Sequence, residues 1–258
     1  MMTDESIIDK MITQFLLNTT RQHRQHNRPV MQAAVHCGIA AAAHPSMGKV
    51  GNSIPLTTGS VAEFYIKPML THVGDIDVMF HYNTLLAIPR GHSPPTQLPD
   101  EFHHSVEVCE IIDSDFAGYV YLKSRYSLLR SKDDTYSAEK IIEGKEQWID
   151  NEATGENALI HGPALQYTLP LEAGLPIDSV PCKRCLSWPP QAAEWPTRHR
   201  NYDWPDSATV DRVVNNGCDL VGVAHRLCRG DEWKSKHQFR LSFSRAEIVL
   251  LNSWTPIQ

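Results

Sequence analysis

The chain has 258 residues, enough for one large domain or two small ones, and its 41% hydrophobic and 21% charged content is that of a globular protein. A formal net charge of -6 excludes a general polyanion binder, so a nucleic-acid role would need a local basic patch. The opening "MMTDESIIDK" is too acidic and polar for a signal peptide, and "CGIAAAA" falls far short of a membrane span.

These features predict a cytoplasmic protein without a membrane partner, its six cysteines reduced. In chain order, Ile8, Met11, Ile12, Phe15 and Leu16 fall at helical spacing and predict a long amphipathic helix that ends or kinks at Pro29. Its run "RQHRQHNR" reads first as a solvated helix face, with a contact for double-stranded nucleic acid as the other reading. Turn signals follow from Val50.

"TTGSVAEFYIKP" sets Gly59 and Ser60 where a helix would start. Ser60 with Glu63 fits a capping box, and the same free N–H groups and hydroxyl suit a phosphate. "GDIDVMF" then reads as a strand with Asp75 and Asp77 on one face, Ile76 and Val78 on the other. Two rises of about 3.3 Å put the two acids roughly 7 Å apart at Cα, where a cation between them relieves their repulsion. Such a site needs a third acid to hold two ions, and Asp178 in "PIDSVPC" serves either as that acid or as a turn aspartate.

Farther along, "TQLPDEFHHSVEVCEIID" reads as a loop followed by a strand or a short helix. Ile141, Ile142 and Trp148 have helical spacing, and "GPALQYTLPLEAGLPIDSVPC" reads as two short strands joined by a turn. A stretch rich in tryptophan and proline precedes a last helical pattern ending in "RLSFSRAEIVLLNSW". Alternating strands and helices predict α+β or mixed α/β architecture. Cys182, Cys185, His225 and Cys228 could be assembled into a zinc set. Strand periodicity argues against it, because Cys182 and Cys185 point to opposite faces. The thirteen histidines show no metal-ligand spacing. Trp188, Trp195 and Trp204 are expected to wedge a core, and Arg198 and Arg200 to form structural ion pairs.

Taken together, "GSVAEFYIKP", "GDIDVMF", "IDSVPCKRCLSWPP", "NNGCDLVGVAHR" and "FRLSFSRAE" resemble, in order, the Mab-type nucleotidyltransferases, the family of cyclic GMP-AMP synthase and the cGAS-like receptors. The resemblance runs from about Gly59 to Leu251. It implies an α+β nucleotidyltransferase fold with a central mixed sheet flanked by helices and the beginning of a helical C-terminal lobe. The boundaries it implies are a core with an N-terminal helix over 1–186 and the start of that lobe over 187–258. It implies a cyclic dinucleotide synthase of innate immunity that takes ATP and GTP and uses Mg²⁺ or Mn²⁺. Asp75, Asp77 and Asp178 would be the catalytic metal ligands, and Gly59 and Ser60 would hold phosphates. Arg240, Ser242 and Ser244 would meet the base, with Glu247 in the same motif; Leu241 and Phe243 alternate with them as core residues. The sequence stops at Gln258, short of a full helical lobe, and lacks the family's zinc insertion. A non-catalytic nucleotide-binding or interaction module is therefore the alternative expectation.

Overall fold

The computed structural model describes residues 53–59, 76–151, 159–161, 164–168, 176–200, 204–228 and 230–253. The expected N-terminal helix with its basic run, Ser60 and Asp75 lie outside the described residues. Ten strands pair into one mixed sheet. They are β1 (Ser53–Thr58), β2 (Ile76–Pro89), β3 (Ser105–Asp113), β4 (Tyr119–Arg130), β5 (Tyr136–Lys140), β6 (Leu159–His161), β7 (Ala164–Thr168), β8 (Pro176–Cys185), β9 (Cys218–Gly222) and β10 (Gln238–Ser242). Among the described residues three α-helices accompany them: α1 (Ser207–Asn215), α2 (Glu232–His237) and α3 (Ser244–Asn252). The architecture is α+β, and none of the described helices is long and apolar enough to cross a membrane.

The long strand β2 organises the sheet. Along one edge it pairs with β1 and then with β3, while the other edge runs parallel to β8. The remaining pairings run β3 to β4, β4 to β10, β10 to β9 and β9 to β8. Six strands thereby close into a circuit. Its inner core draws on every one of them: Ala87 from β2, Cys109 and Ile111 from β3, Val120 and Leu122 from β4, Cys185 from β8, Cys218 and Leu220 from β9, Phe239 and Leu241 from β10. The sheet is continuous across the boundary expected between residues 186 and 187, since β9 and β10 lie within it.

A second core, with Leu86, Ile88, Phe102, Val106, Val108, Leu128 and Tyr136, packs on the other face of β3 and β4. One strand serves both cores because β4 has a register shift opposite Val108 and Cys109, where Arg125 is the extra residue. One inserted residue reverses the alternation, so Val120 and Leu122 point to the inner core and Leu128 to the second.

The sequence expectations divide here. The run "SVEVCEIID" is strand β3, and "ALQYT" and "PIDSVPC" fall in the antiparallel pair β7 and β8. The helical pattern at Ile141, Ile142 and Trp148 is not a helix. The segment forms strand β5 and then turns, and Trp148 joins the sheet through a bridge to Lys123. Its apparent period came from three residues with different surroundings, Ile142 being exposed while Trp148 packs against Tyr121 and Trp233. The last pattern is a strand followed by a helix, β10 and α3. Trp188 packs between Trp195 and Phe243, at 5.4 and 5.1 Å between ring centroids. Arg200, expected to form an ion pair, makes none among the described residues. Its guanidinium lies 4.8 Å over the Trp195 ring and donates to the carbonyls of Trp195, Pro196 and Arg198.

Candidate active site

β1 delivers Gly59 to the point where β2 carries Asp77, since Thr58, the residue before Gly59, is the registered partner of Asp77. Gly59 has φ +66°, in the left-handed region that glycine enters without strain. A Cβ at this position would land on the Asp77 carboxylate. Only a residue without a side chain lets the backbone turn pass this close to the acid.

Asp77 is registered on Asp178 across the parallel pair β2 and β8. Registered neighbours project from the same face, with strands spaced about 4.8 Å apart. The two carboxylates therefore rise side by side. Asp77 is half-buried. Asp178 Oδ1 is buried and has no hydrogen-bond partner among the described residues. A buried carboxylate oxygen left in that state is costly unless a cation or proton meets it. Adjacent carboxylates are also the donors that hard divalent cations select. The pair and the glycine turn thus fit a divalent ion, and Asp75 lies outside the described residues. Among the described residues no three His, Cys, Asp or Glu side chains gather as a metal cluster.

The "RLSFS" segment comes over the same face. Phe239 and Leu241 point into the inner core, which leaves Arg240 and Ser242 on the outer side of β10. Ser242 Oγ lies 3.9 Å from Met79 Sδ and 3.3 Å from Ser244 Oγ. Met79 is two residues past Asp77, so the Ser242 contact falls on β2 within one strand repeat of that acid. Arg240 is exposed on β10 and Glu247 is exposed on α3. Leu241 thus takes the alternating core role, while its neighbours Arg240 and Ser242 lie on the other side of the strand.

Cys182 and Cys185 part as strand periodicity requires. Cys182 clusters with Met79 and Val221, with its thiol donating to Phe80 O at 3.3 Å, whereas Cys185 belongs to the inner core.

Beneath the serines lies a charged group that the sequence reading missed. Asp219 of β9 is fully buried, and its Oδ2 accepts from Arg245 Nε at 2.8 Å. Its Oδ1 lies 3.9 Å from Arg184 Nη1, which donates to the carbonyls of Cys185 and Cys218 at 2.9 and 2.8 Å. Arg184 Nη2 donates to Asn216 O. Arg245 Nη2 donates to His81 Nδ1 at 3.3 Å. His81 Nε2 faces Glu101 Oε1 across 3.6 Å, beyond hydrogen-bond reach. Burial, and then the charges of Arg245 and Arg184, push the His81 pKa down to about 3. His81 is therefore neutral at physiological pH. The only sequence signal for this group is the lone charge of Asp219 in the apolar strand "CDLVG", since Arg184 stands beside Lys183 in a strand that also carries Asp178.

With the glycine turn, paired acids and serine strand on one face, the comparison with known families can be read against geometry. The Mab-21 protein nucleotidyltransferase domain matches residues 97–253. The chain belongs to the Mab-21 nucleotidyltransferase family. The matched span carries Asp178, Arg240, Ser242, Ser244 and Glu247 of the Mab-21 domain, while Gly59, Ser60, Asp75 and Asp77 precede it. No curated protein matches the chain.

Proposed function

We propose that this Mab-21 protein is a metal-dependent nucleotidyltransferase that joins ATP and GTP, or two copies of one nucleotide, into a cyclic dinucleotide for innate immune signalling. The observation that carries this reading is Asp77 registered on Asp178 beside a left-handed glycine, with Asp178 Oδ1 buried and without a partner among the described residues. Family membership supports nucleotidyl transfer as the reaction class.

Asp77 and Asp178, with Asp75, would hold Mg²⁺ or Mn²⁺. Bound there, the ions neutralise the triphosphate and lower the pKa of the attacking hydroxyl. The chain's own groups do the rest. The backbone N–H groups after Gly59 and the Ser60 hydroxyl cradle the phosphates. Ser242 and Ser244, two hydroxyls 3.3 Å apart, offer donors and acceptors to a base edge, and Arg240 and Glu247 flank them. A ribose hydroxyl attacks the α-phosphorus of the second nucleotide. The new O–P bond forms as the bond to the β-phosphate oxygen breaks, and pyrophosphate leaves. The hydroxyl proton passes to water, since Asp77 and Asp178 would both be engaged by the ions.

The test is incubation with labelled ATP and GTP in Mg²⁺ or Mn²⁺, followed by phosphatase. A resistant product that is lost on adding a chelator and lost in Asp77→Asn is expected. Asp77→Asn should melt at or slightly above the wild-type temperature without metal, because it relieves like-charge repulsion. Metal-dependent nucleotide binding with no product would move the protein to the non-catalytic reading.

A further inference from the structure

We infer that Asp219 and Arg245 are positioning residues for the base end of the site, their ion pair fixing the rotation of α3 so that Ser244 and Glu247 face the cleft. This rests on the nucleotidyltransferase reading above. Helix α3 starts without the usual lock. Phe243 occupies its N-cap position and no side chain caps the free N–H groups. The first turn is held instead by Arg245, which reaches inward to Asp219 on β9 and to His81 on β2.

Helix geometry then sets the rest. At about 100° per residue, Ser244 lies about 100° to one side of Arg245 and Glu247 about 160° to the same side. The two are therefore about 60° apart on the flank opposite the arginine. Anchoring Arg245 inward thus turns both outward. The Ser242–Ser244 contact and the Ser242–Met79 contact tie that flank to β2, two residues from Asp77. Arg184 faces the other oxygen of Asp219 across 3.9 Å, too far for a hydrogen bond, so the carboxylate is bonded by Arg245 and drawn electrostatically toward Arg184. A buried ion pair of this kind seldom outperforms apolar packing in stability. It does fix one geometry.

The test separates the base from the phosphates. Wild-type full chain is titrated calorimetrically with ATP, GTP and inorganic tripolyphosphate in Mn²⁺. The inference expects either nucleotide to bind at least tenfold tighter than tripolyphosphate. Arg245→Met should lose that advantage while tripolyphosphate affinity stays unchanged, because Gly59, Asp77 and Asp178 are held by the pairing of β1, β2 and β8. Arg245→Lys should recover part of the ratio, and Asp219→Asn should lose it. An Arg245→Met protein that keeps the wild-type ratio, or that loses tripolyphosphate equally, overturns the inference. If Arg245→Met does not fold, Arg245→Lys and His81→Asn are read by the same ratio, and wild-type ratios in both overturn it. A wild type that binds all three ligands alike leaves the acid site standing and removes the positioning role. A wild type that binds none overturns the nucleotidyltransferase reading itself.

Discussion

Gly59 and His81 carry the clearest consequences for single side chains. Gly59→Ala adds about 1–2 kcal/mol of left-handed strain and drives a methyl into the Asp77 carboxylate. Metal-dependent ATP binding should therefore weaken at least tenfold, which titration in Mn²⁺ reads directly. His81 sits among Arg245, Arg184, Asp219 and Glu101 and titrates only near pH 3 when folded. An unfolded histidine binds its proton at about 6.5, so between these values the unfolded chain takes up a proton that the folded one refuses. Stability that is complete above pH 6.5 should fall by about 1.4 kcal/mol per unit as the pH drops toward 3. His81→Asn should flatten that slope by one proton in urea unfolding series between pH 4 and 7. The acids and the glycine were legible because their residue types and short spacing announce them. The charges of Asp219 and Arg184 were visible but their purpose was not, because Arg245 and His81 come from distant parts of the chain.

Among elements, β10 and α3 show what periodicity reveals and where it misleads. The alternation in "RLSFS" separates the buried Leu241 from Ser242 on the outer side of the strand. The spacing of Ile141, Ile142 and Trp148 misleads because all three follow strand β5 in a turning segment, where Ile142 is exposed while Trp148 packs on Tyr121 and Trp233. β10 is central, flanked by β4 and β9. Phe239→Ala would open a cavity in the inner core and should cost about 3–5 kcal/mol, measured by chemical denaturation. Because β10 leads directly into α3, the same variant should blunt discrimination between nucleotide and bare triphosphate.

For the whole molecule, the closed circuit of β2, β3, β4, β10, β9 and β8 makes early and late parts of the chain depend on each other. A chain ending at residue 186 lacks β9 and β10, so the inner core loses Cys218, Leu220, Phe239 and Leu241. It should not fold on its own, and limited proteolysis should find it cleaved throughout while the full chain resists. The order of pairing was not legible in the sequence. Strand identity follows from local pattern, but the parallel contact of β2 with β8 joins residues about a hundred positions apart, and no local signal specifies that pairing. Closure also bears on how copies of the molecule meet. A closed circuit offers no open strand edge along its own wall, so among the described strands unpaired edges are left to β1, β5 and β6. Of these, β1 carries Pro55, which has no N–H to give, and β5 ends in the exposed charges of Glu139 and Lys140. Among the described strands, two of the three places where a foreign strand could add are thus guarded, which opposes fibrous aggregation.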